Sequence, residues 1–343
     1  MIKAQREYYA APNGYSGFRS YFDEVFDAKK MLGIYILKGG PGTGKSTLMK
    51  KVLKHFCEMG YTADAVYCSS DPSSLDGVII DGKVAILDGT APHERDTKLP
   101  GALDEIINLG EAWDTKELKN KRPQIEKLNK AKKQNYNSAY KYLSFSGIIH
   151  NYKLELLSKS FDFDSAEKRA CELIKELKKE KVSPEKILIS SFSKEGLSRR
   201  SLSGFNVKKL YSVKGNFGEE ELFLNVLRKL SVGDYPLTII PSPLSDNITE
   251  GVYFKNEGLM FLSGAEGRET VDAFQFLEKD LSEEIEFLNK NEASYLEKSK
   301  LHFKKSSEFH FLLEDIYRES MDFQKNDEVF LKLLEKITKL LSD

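Results

Sequence analysis

Residues Gly39-Gly40-Pro41-Gly42-Thr43-Gly44-Lys45-Ser46 constrain this chain more than any other stretch. They fit the pattern GxxxxGK[ST] at every position and lie between two contrasting segments. Ahead is the apolar, β-rich run Ile34-Tyr35-Ile36-Leu37; behind, Leu48, Val52, Leu53 and Phe56 recur at helical spacing until Gly60. A buried strand must enter a turn nearly free of Cβ atoms and leave as a helix. Such a turn can wrap its backbone N–H groups around an anion, and the helix adds its N-terminal dipole. The expected ligand is therefore a nucleoside triphosphate, cradled by Gly39, Gly40, Pro41, Gly42, Thr43 and Gly44. Lys45 then reaches the β- and γ-phosphates, Ser46 ligates Mg²⁺ through its hydroxyl, and Thr47 lies near the α-phosphate.

A magnesium site of this kind needs an acidic partner at the end of a second buried strand, and Val84-Ala85-Ile86-Leu87-Asp88 supplies it. Asp88 is expected to act with Lys45 in catalysis and with Ser46 on the metal. No glutamate follows Asp88, so the adjacent carboxylate that would polarise water is missing and hydrolysis is expected to be slow. Asp71 and Asp76 follow the strand Ala65-Val66-Tyr67; either could serve as a base, but Asp-Pro and Asp-Gly also form turns, the reading favoured here. His93 and Arg95 follow Asp88 in what reads as a solvated loop, from which they could also meet the γ-phosphate.

Composition narrows the partners. The chain has 343 residues, and 52 Lys+Arg against 53 Asp+Glu leave a formal charge of −1, without the basic excess of a phosphate-neutralising protein. Nucleic acid is not expected as principal partner. The longest apolar stretch falls short of a bilayer span, and Met1-Ile2-Lys3-Ala4-Gln5-Arg6-Glu7 lacks the apolar core of a leader, so a cytoplasmic location without membrane association is expected. Cys57, Cys68 and Cys171 include no CxxC pair and read as buried thiols.

The chain also resembles itself. Tyr211-Ser212-Val213-Lys214-Gly215-Asn216-Phe217-Gly218-Glu219-Glu220-Glu221-Leu222-Phe223-Leu224 can be laid without a gap over Tyr35 to Leu48. Gly251-Val252 then answers Gly77-Val78, Leu262-Ser263-Gly264 answers Leu87-Asp88-Gly89, and Asp322-Phe323 answers Asp162-Phe163. In this register Glu221 replaces Lys45, Leu222 replaces Ser46 and Ser263 replaces Asp88, so the second copy should bind no Mg-ATP. The expectation is an α/β protein of two P-loop NTPase-like, three-layer αβα modules, residues 1–183 and 184–343. Each module ends in a long helical hairpin or insertion. The basic run Lys116–Lys141 and the acidic run Glu278–Glu297 could dock these helices within the chain, on a protein partner, or on a second copy. Tyr136, Tyr140, Tyr142, Phe145 and Tyr152 are expected to pack between helices rather than stack on bases.

The blocks from Lys38 to Lys51, Cys68 to Ile80, Ala85 to His93 and Pro100 to Gly110 resemble a family of bacterial tandem P-loop ATP-binding proteins over nearly the full length. That resemblance implies ATP binding and ATPase activity with no set substrate. Family members can carry phosphate loops in both modules; this chain departs from them in the second. The expected function is thus a slow, Mg²⁺-dependent ATPase with one competent site. A small-molecule or nucleotide kinase using Asp71 or Asp76 as base, and a non-hydrolysing nucleotide sensor, are the alternatives. A catalytic arginine could come from Arg268 or another subunit.

Overall fold

The computed structural model describes residues 4–92, 94–267, 269–278 and 282–342. Along the first half run β1 (Glu7–Tyr9), the hairpin β2 (Asn13–Gly14) and β3 (Gly17–Phe18), the single turn α1 (Phe22–Val25), β4 (Gly33–Lys38) and α2 (Lys45–Glu58). There follow β5 (Ala63–Tyr67), β6 (Leu75–Ile80), β7 (Val84–Asp88), β8 (Asp104–Asn108), α3 (Thr115–Asn120), α4 (Arg122–Ser158) and α5 (Phe163–Ile174). The second half holds β9 (Glu185–Lys186), β10 (Ser190–Ser193), β11 (Gly196–Arg199), β12 (Lys209–Lys214), α6 (Glu219–Ser231), β13 (Leu237–Pro241), β14 (Thr249–Phe254), β15 (Leu259–Ser263), β16 (Glu269–Asp272), α7 (Ser282–Glu319) and α8 (Phe323–Ser342).

The protein is mixed α/β, with two six-stranded sheets. Their orders, β1-β5-β6-β7-β4-β8 and β9-β13-β14-β15-β12-β16, match strand for strand. So do the pairing directions: in each sheet one strand, β6 or β14, runs antiparallel to both neighbours, and the remaining pairs are parallel. Even the register shift recurs, between Val66 and Tyr67 and between Ile240 and Pro241.

The expected three-layer modules do not form. β6 and β7 are joined by a tight turn with positive φ at Asp81 (52°) and Gly82 (67°), so no crossover helix covers that face. Instead the two sheets share one core. Ile34, Ile36, Ala85 and Leu87 lie in the same buried cluster as Ile240, Tyr253, Met260 and Leu262. Helices α2 and α8, and α5 and α6, cover the outer faces, giving the layers helix, sheet, sheet, helix, while the single turn α1 adds Phe22 to the shared core.

The outer layers are exchanged between the halves. α8 lays Leu333 and Ile337 into the core with Leu48, Met49, Val52 and Phe56 of α2, while α5 lays Ala166, Ala170 and Ile174 against Phe223, Leu224 and Leu227 of α6. Full burial of each Leu or Ile contributes about 1.5–3 kcal/mol, so these stripes bind each half to the other's sheet. Residues 1–183 and 184–343 each hold one sheet, but the helix after each long helix belongs in space to the other half. The crossings are fixed by short backbone pairings, Trp113 with Met321 and Phe161 with Leu277.

Helices α4 and α7, of 37 and 38 residues, run antiparallel for about 55 Å. Ser299 Oγ donates to Ala139 O (2.9 Å), Ser306 Oγ to Lys132 O (3.1 Å), and Lys153 Nζ to Asn289 Oδ1 (2.8 Å). This register lays the basic run Lys116–Lys141 along the end of α7, so it does not meet the acidic run at the start of α7. Tyr136 and Tyr140 pack on Phe303, and Tyr142 and Phe145 on Tyr295, while Tyr152 is exposed. Cys57 and Cys68 are half-buried and Cys171 is exposed, so the expectation of three buried thiols fails. Among the described residues no helix is long and apolar enough to cross a membrane.

Candidate functional site

The first site sits at the carboxyl ends of β4 and β7, where parallel α/β sheets place ligands. The two strands are direct neighbours, with Leu37 opposite Asp88, so no strand separates the loop from the acid. Strand β4 is buried because both its faces are apolar, one toward the shared core and one toward α2. The loop then turns on Gly42 (φ 71°) and Gly44 (φ 83°), left-handed positions that disfavour a Cβ, and Gly44 caps α2. Thr43 is buried and donates through Oγ1 to Gly40 O (2.9 Å), bracing the curve.

Lys45 bends over this loop. Its Nζ donates to Gly39 O and Gly40 O, both at 2.9 Å, and lies 3.7 Å from Asp88 Oδ2. Ser46 Oγ accepts from Leu75 N (2.9 Å), which ties the helix start to β6. Asp88 Oδ1 accepts from Thr90 N (2.9 Å) and Thr90 Oγ1 (2.6 Å), leaving Oδ2 toward Lys45. Burial raises the Asp88 carboxyl above its ordinary range against the pull of Lys45, and Asp76 adds to the rise. Pro41 is half-buried in the loop, and Thr47 is exposed on the first turn of α2.

Other expected residues are rearranged. Asp76 is buried within β6, close enough to act on Asp88, and is not a turn residue. Asp71 does shape a turn, accepting from Ser73 Oγ and Ser74 Oγ, and its pair with Lys194 (3.4 Å) helps hold it below the ordinary carboxylate range against burial. Arg95 is neither solvated nor near the loop's mouth: it is buried, donating to Phe22 O and Phe26 O. His93 and Arg268 lie outside the described residues.

Distant elements close over the loop. A Cβ on Gly42 would come 2.4 Å from Glu314 O of α7, and one on Gly40 3.3 Å from Tyr317 and Trp113. Asn326 of α8 donates through Nδ2 to Thr43 O (2.8 Å). Lys132 of α4 bonds His310 of α7 (3.1 Å), and Lys194 reaches Asp71 from the β10–β11 hairpin. Sequence reasoning missed these residues, because a charge on a long helix looks solvated until its partner helix is known.

The second half has a matching location, with one difference in length. Four residues, 215–218, join β12 to α6, against six, 39–44, between β4 and α2. The gapless alignment is therefore wrong: Glu219, not Glu221, opens α6 as Lys45 opens α2. Ser263 does end β15 opposite Val213, as Asp88 ends β7 opposite Leu37. Glu219 Oε2 accepts from Asn216 N (2.9 Å) and Phe217 N (2.8 Å), so the loop's own carboxylate occupies its amides.

Above it lies a buried charge cluster. His150 of α4 bonds Glu221 through Nε2 and Glu292 of α7 through Nδ1, both at 2.9 Å. Lys153 Nζ (2.9 Å) and Tyr15 Oη (3.1 Å) also donate to Glu292. Burial would lower the His150 pKa, but the two carboxylates outweigh it and raise it from 6.5 to about 9. Glu292 is driven to about 2 against its burial by the hydrogen bonds and charges of His150 and Lys153. Glu220 rises to about 7 through burial beside Glu221. An open cavity of about 320 Å³ borders Lys153, Glu220, Glu221 and Glu292.

No protein-family model, curated protein or solved structure matches the chain.

Proposed function

We propose that the chain is an ATP-binding P-loop NTPase of two duplicated modules, and that it hydrolyses ATP slowly with Mg²⁺. The first module carries the competent site; the second is a pseudo-NTPase module. The observation carrying this reading is that Lys45, opening α2 next to Ser46 after a loop with two left-handed glycines, comes within 3.7 Å of Asp88 at the end of the strand adjacent to β4. The loop amides and Lys45 suit a polyphosphate. The Ser46 hydroxyl and the Asp88 carboxylate are hard oxygen donors of the kind Mg²⁺ takes, and bound Mg²⁺ would neutralise charge on the β- and γ-phosphates. Asp76 is buried and close enough to raise Asp88, and in this reading it would orient a water in place of the glutamate lacking after Asp88. A cytoplasmic setting agrees with such a substrate.

Titration with fluorescent Mg-ATP and a non-hydrolysable analogue tests the reading. Wild type should bind both, and Lys45→Ala should lose affinity by about 100-fold or more, the scale of several charge-assisted hydrogen bonds. Equal affinity for the variant refutes it. A second reading, a sensor with little turnover, is favoured by the packing of α7 on Gly42. In that case the nucleotide alters small-angle scattering with no phosphate released in a single turnover.

A further inference from the structure

The nucleotide reading leaves open which cation meets the γ-phosphate, since Lys45 alone rarely suffices for transfer. Neighbouring cations are already committed. Lys38 Nζ donates to Gly89 O (2.7 Å) and Arg95 O (2.9 Å), and Arg95 is turned into the core. Lys194 is paired with Asp71 and lies over the Phe311 ring.

Lys132 differs. It is half-buried, and its Nζ bonds His310 Nδ1 at 3.1 Å; among the described residues no carboxylate lies within ion-pair distance of it. Burial, then the charges of Lys132 and Lys45, push His310 down to about 4, so the ring is neutral at pH 7 and supplies no counter-charge. His310 stands one helical turn before Glu314, whose backbone lies against Gly42 of the phosphate loop. Burial and the nearby Lys45 also lower Lys132 itself, while Glu314 acts the other way. A half-buried ammonium with a neutral partner, one turn from an anion-binding loop, is short of an anion.

We propose that Lys132, held by His310 on the α4–α7 pair, contacts the γ-phosphate of nucleotide bound at Gly39–Ser46, so that the helix pair completes the site. This rests on the nucleotide reading and adds a discrimination between ATP and ADP. One new charge-assisted contact made only by ATP is worth about ten- to a hundred-fold in affinity.

The test compares Mg-ATP-analogue and Mg-ADP affinities by calorimetry for wild type, Lys132→Met and Lys45→Ala. Wild type should prefer the ATP analogue by that factor. Lys132→Met should bind ADP as wild type does and lose the preference, a selective loss that a merely structural role would not produce. Should Lys132→Met not fold, Lys132→Gln, which keeps a polar group toward His310, answers the same question. A variant that keeps the wild-type preference overturns the inference alone. So does a wild type that binds both nucleotides equally while Lys45→Ala binds neither. A wild type that binds neither nucleotide overturns the inference together with the nucleotide reading.

Discussion

The two loops follow the same strand in the same sheet order and lie under the same helix pair, yet they satisfy their backbone groups in opposite ways. In the first, an ammonium at the helix start bends onto the loop carbonyls of Gly39 and Gly40. In the second, a carboxylate at the helix start takes the amides of a loop two residues shorter. The charge above each loop follows the same division. Lys132 and His310 meet over the first without a carboxylate on Lys132, whereas His150, Lys153, Glu221 and Glu292 neutralise one another over the second. The comparison teaches that similar backbone geometry can carry internal counter-charge on one side and lack it on the other, and the lack is what the proposed ligand would meet.

The largest effect should come from removing counter-charge where it is internal. Glu292→Ala would leave His150, Lys153 and Tyr15 without their shared acceptor. Breaking a buried pair in this way costs about 3–5 kcal/mol. Lys132→Met, which removes an ammonium lacking a carboxylate, should change stability by less than about 1 kcal/mol. Urea denaturation of both variants checks the contrast; equal losses would erase it.

Next in size is the pH dependence that His150 and Glu292 give the second cluster. The His150 pKa is raised from 6.5 to about 9, so its contribution is fully present below 6.5 and is lost as pH climbs through 9. The difference corresponds to roughly 3 kcal/mol. The Glu292 pKa is lowered from 4.5 to about 2, so its contribution is present above 4.5 and disappears as pH falls through 2. His150→Gln should therefore flatten the alkaline limb of stability against pH, measured by denaturant midpoints from pH 5 to 10. An unchanged limb would mean that His150 does not carry it.

A smaller cost is expected where α7 leans on the first loop. Gly42→Ala meets both a left-handed φ of 71° and the Glu314 carbonyl at 2.4 Å, and should lose about 2–3 kcal/mol. Gly60, at φ 90° with nothing within 4 Å, is the control, and its alanine variant should lose only about 1 kcal/mol. The difference between the two melting shifts isolates the helix contact.

How much of this is legible in the sequence depends on how local each feature is. The turn at Gly39–Ser46 between β4 and α2, and Asp88 at the end of β7, are legible because strand, loop and helix are contiguous. The matching sheets are signalled by Leu87-Asp88-Gly89 and Leu262-Ser263-Gly264. The shortened second loop is hidden, however, since Lys214-Gly215 and Gly218 align with Lys38-Gly39 and Gly42 without a gap. Which helix covers which sheet is not legible either. The stripes Ala166-Ala170-Ile174 and Leu333-Ile337 are apolar faces that fit any sheet, and only the crossings at Trp113–Met321 and Phe161–Leu277 decide between them. Lys132 and Glu292 remain unread for the same reason.

The exchange of α5 and α8 leaves one further asymmetry, and it carries the smallest predicted effect. Their N-terminal aspartates, Asp162 and Asp322, each cap a helix start, accepting from Ser165 N and Gln324 N. Counting four residues on from each cap brings α5 to Ala166, buried against the second half, and α8 to Asn326, whose Nδ2 donates to Thr43 O. One helix is thus held there by apolar contact and the other by a hydrogen bond to the loop between β4 and α2. Asn326→Ala should make the first side resemble the second, costing about 1 kcal/mol of stability, the usual worth of one such bond. Because Thr43 braces the loop curve, the same variant should weaken nucleotide binding more than it weakens the fold. Ala166→Ser, by contrast, should affect stability without touching binding. If Asn326→Ala alters stability alone, the bond is only a fastening of α8, and the loop keeps its shape without it.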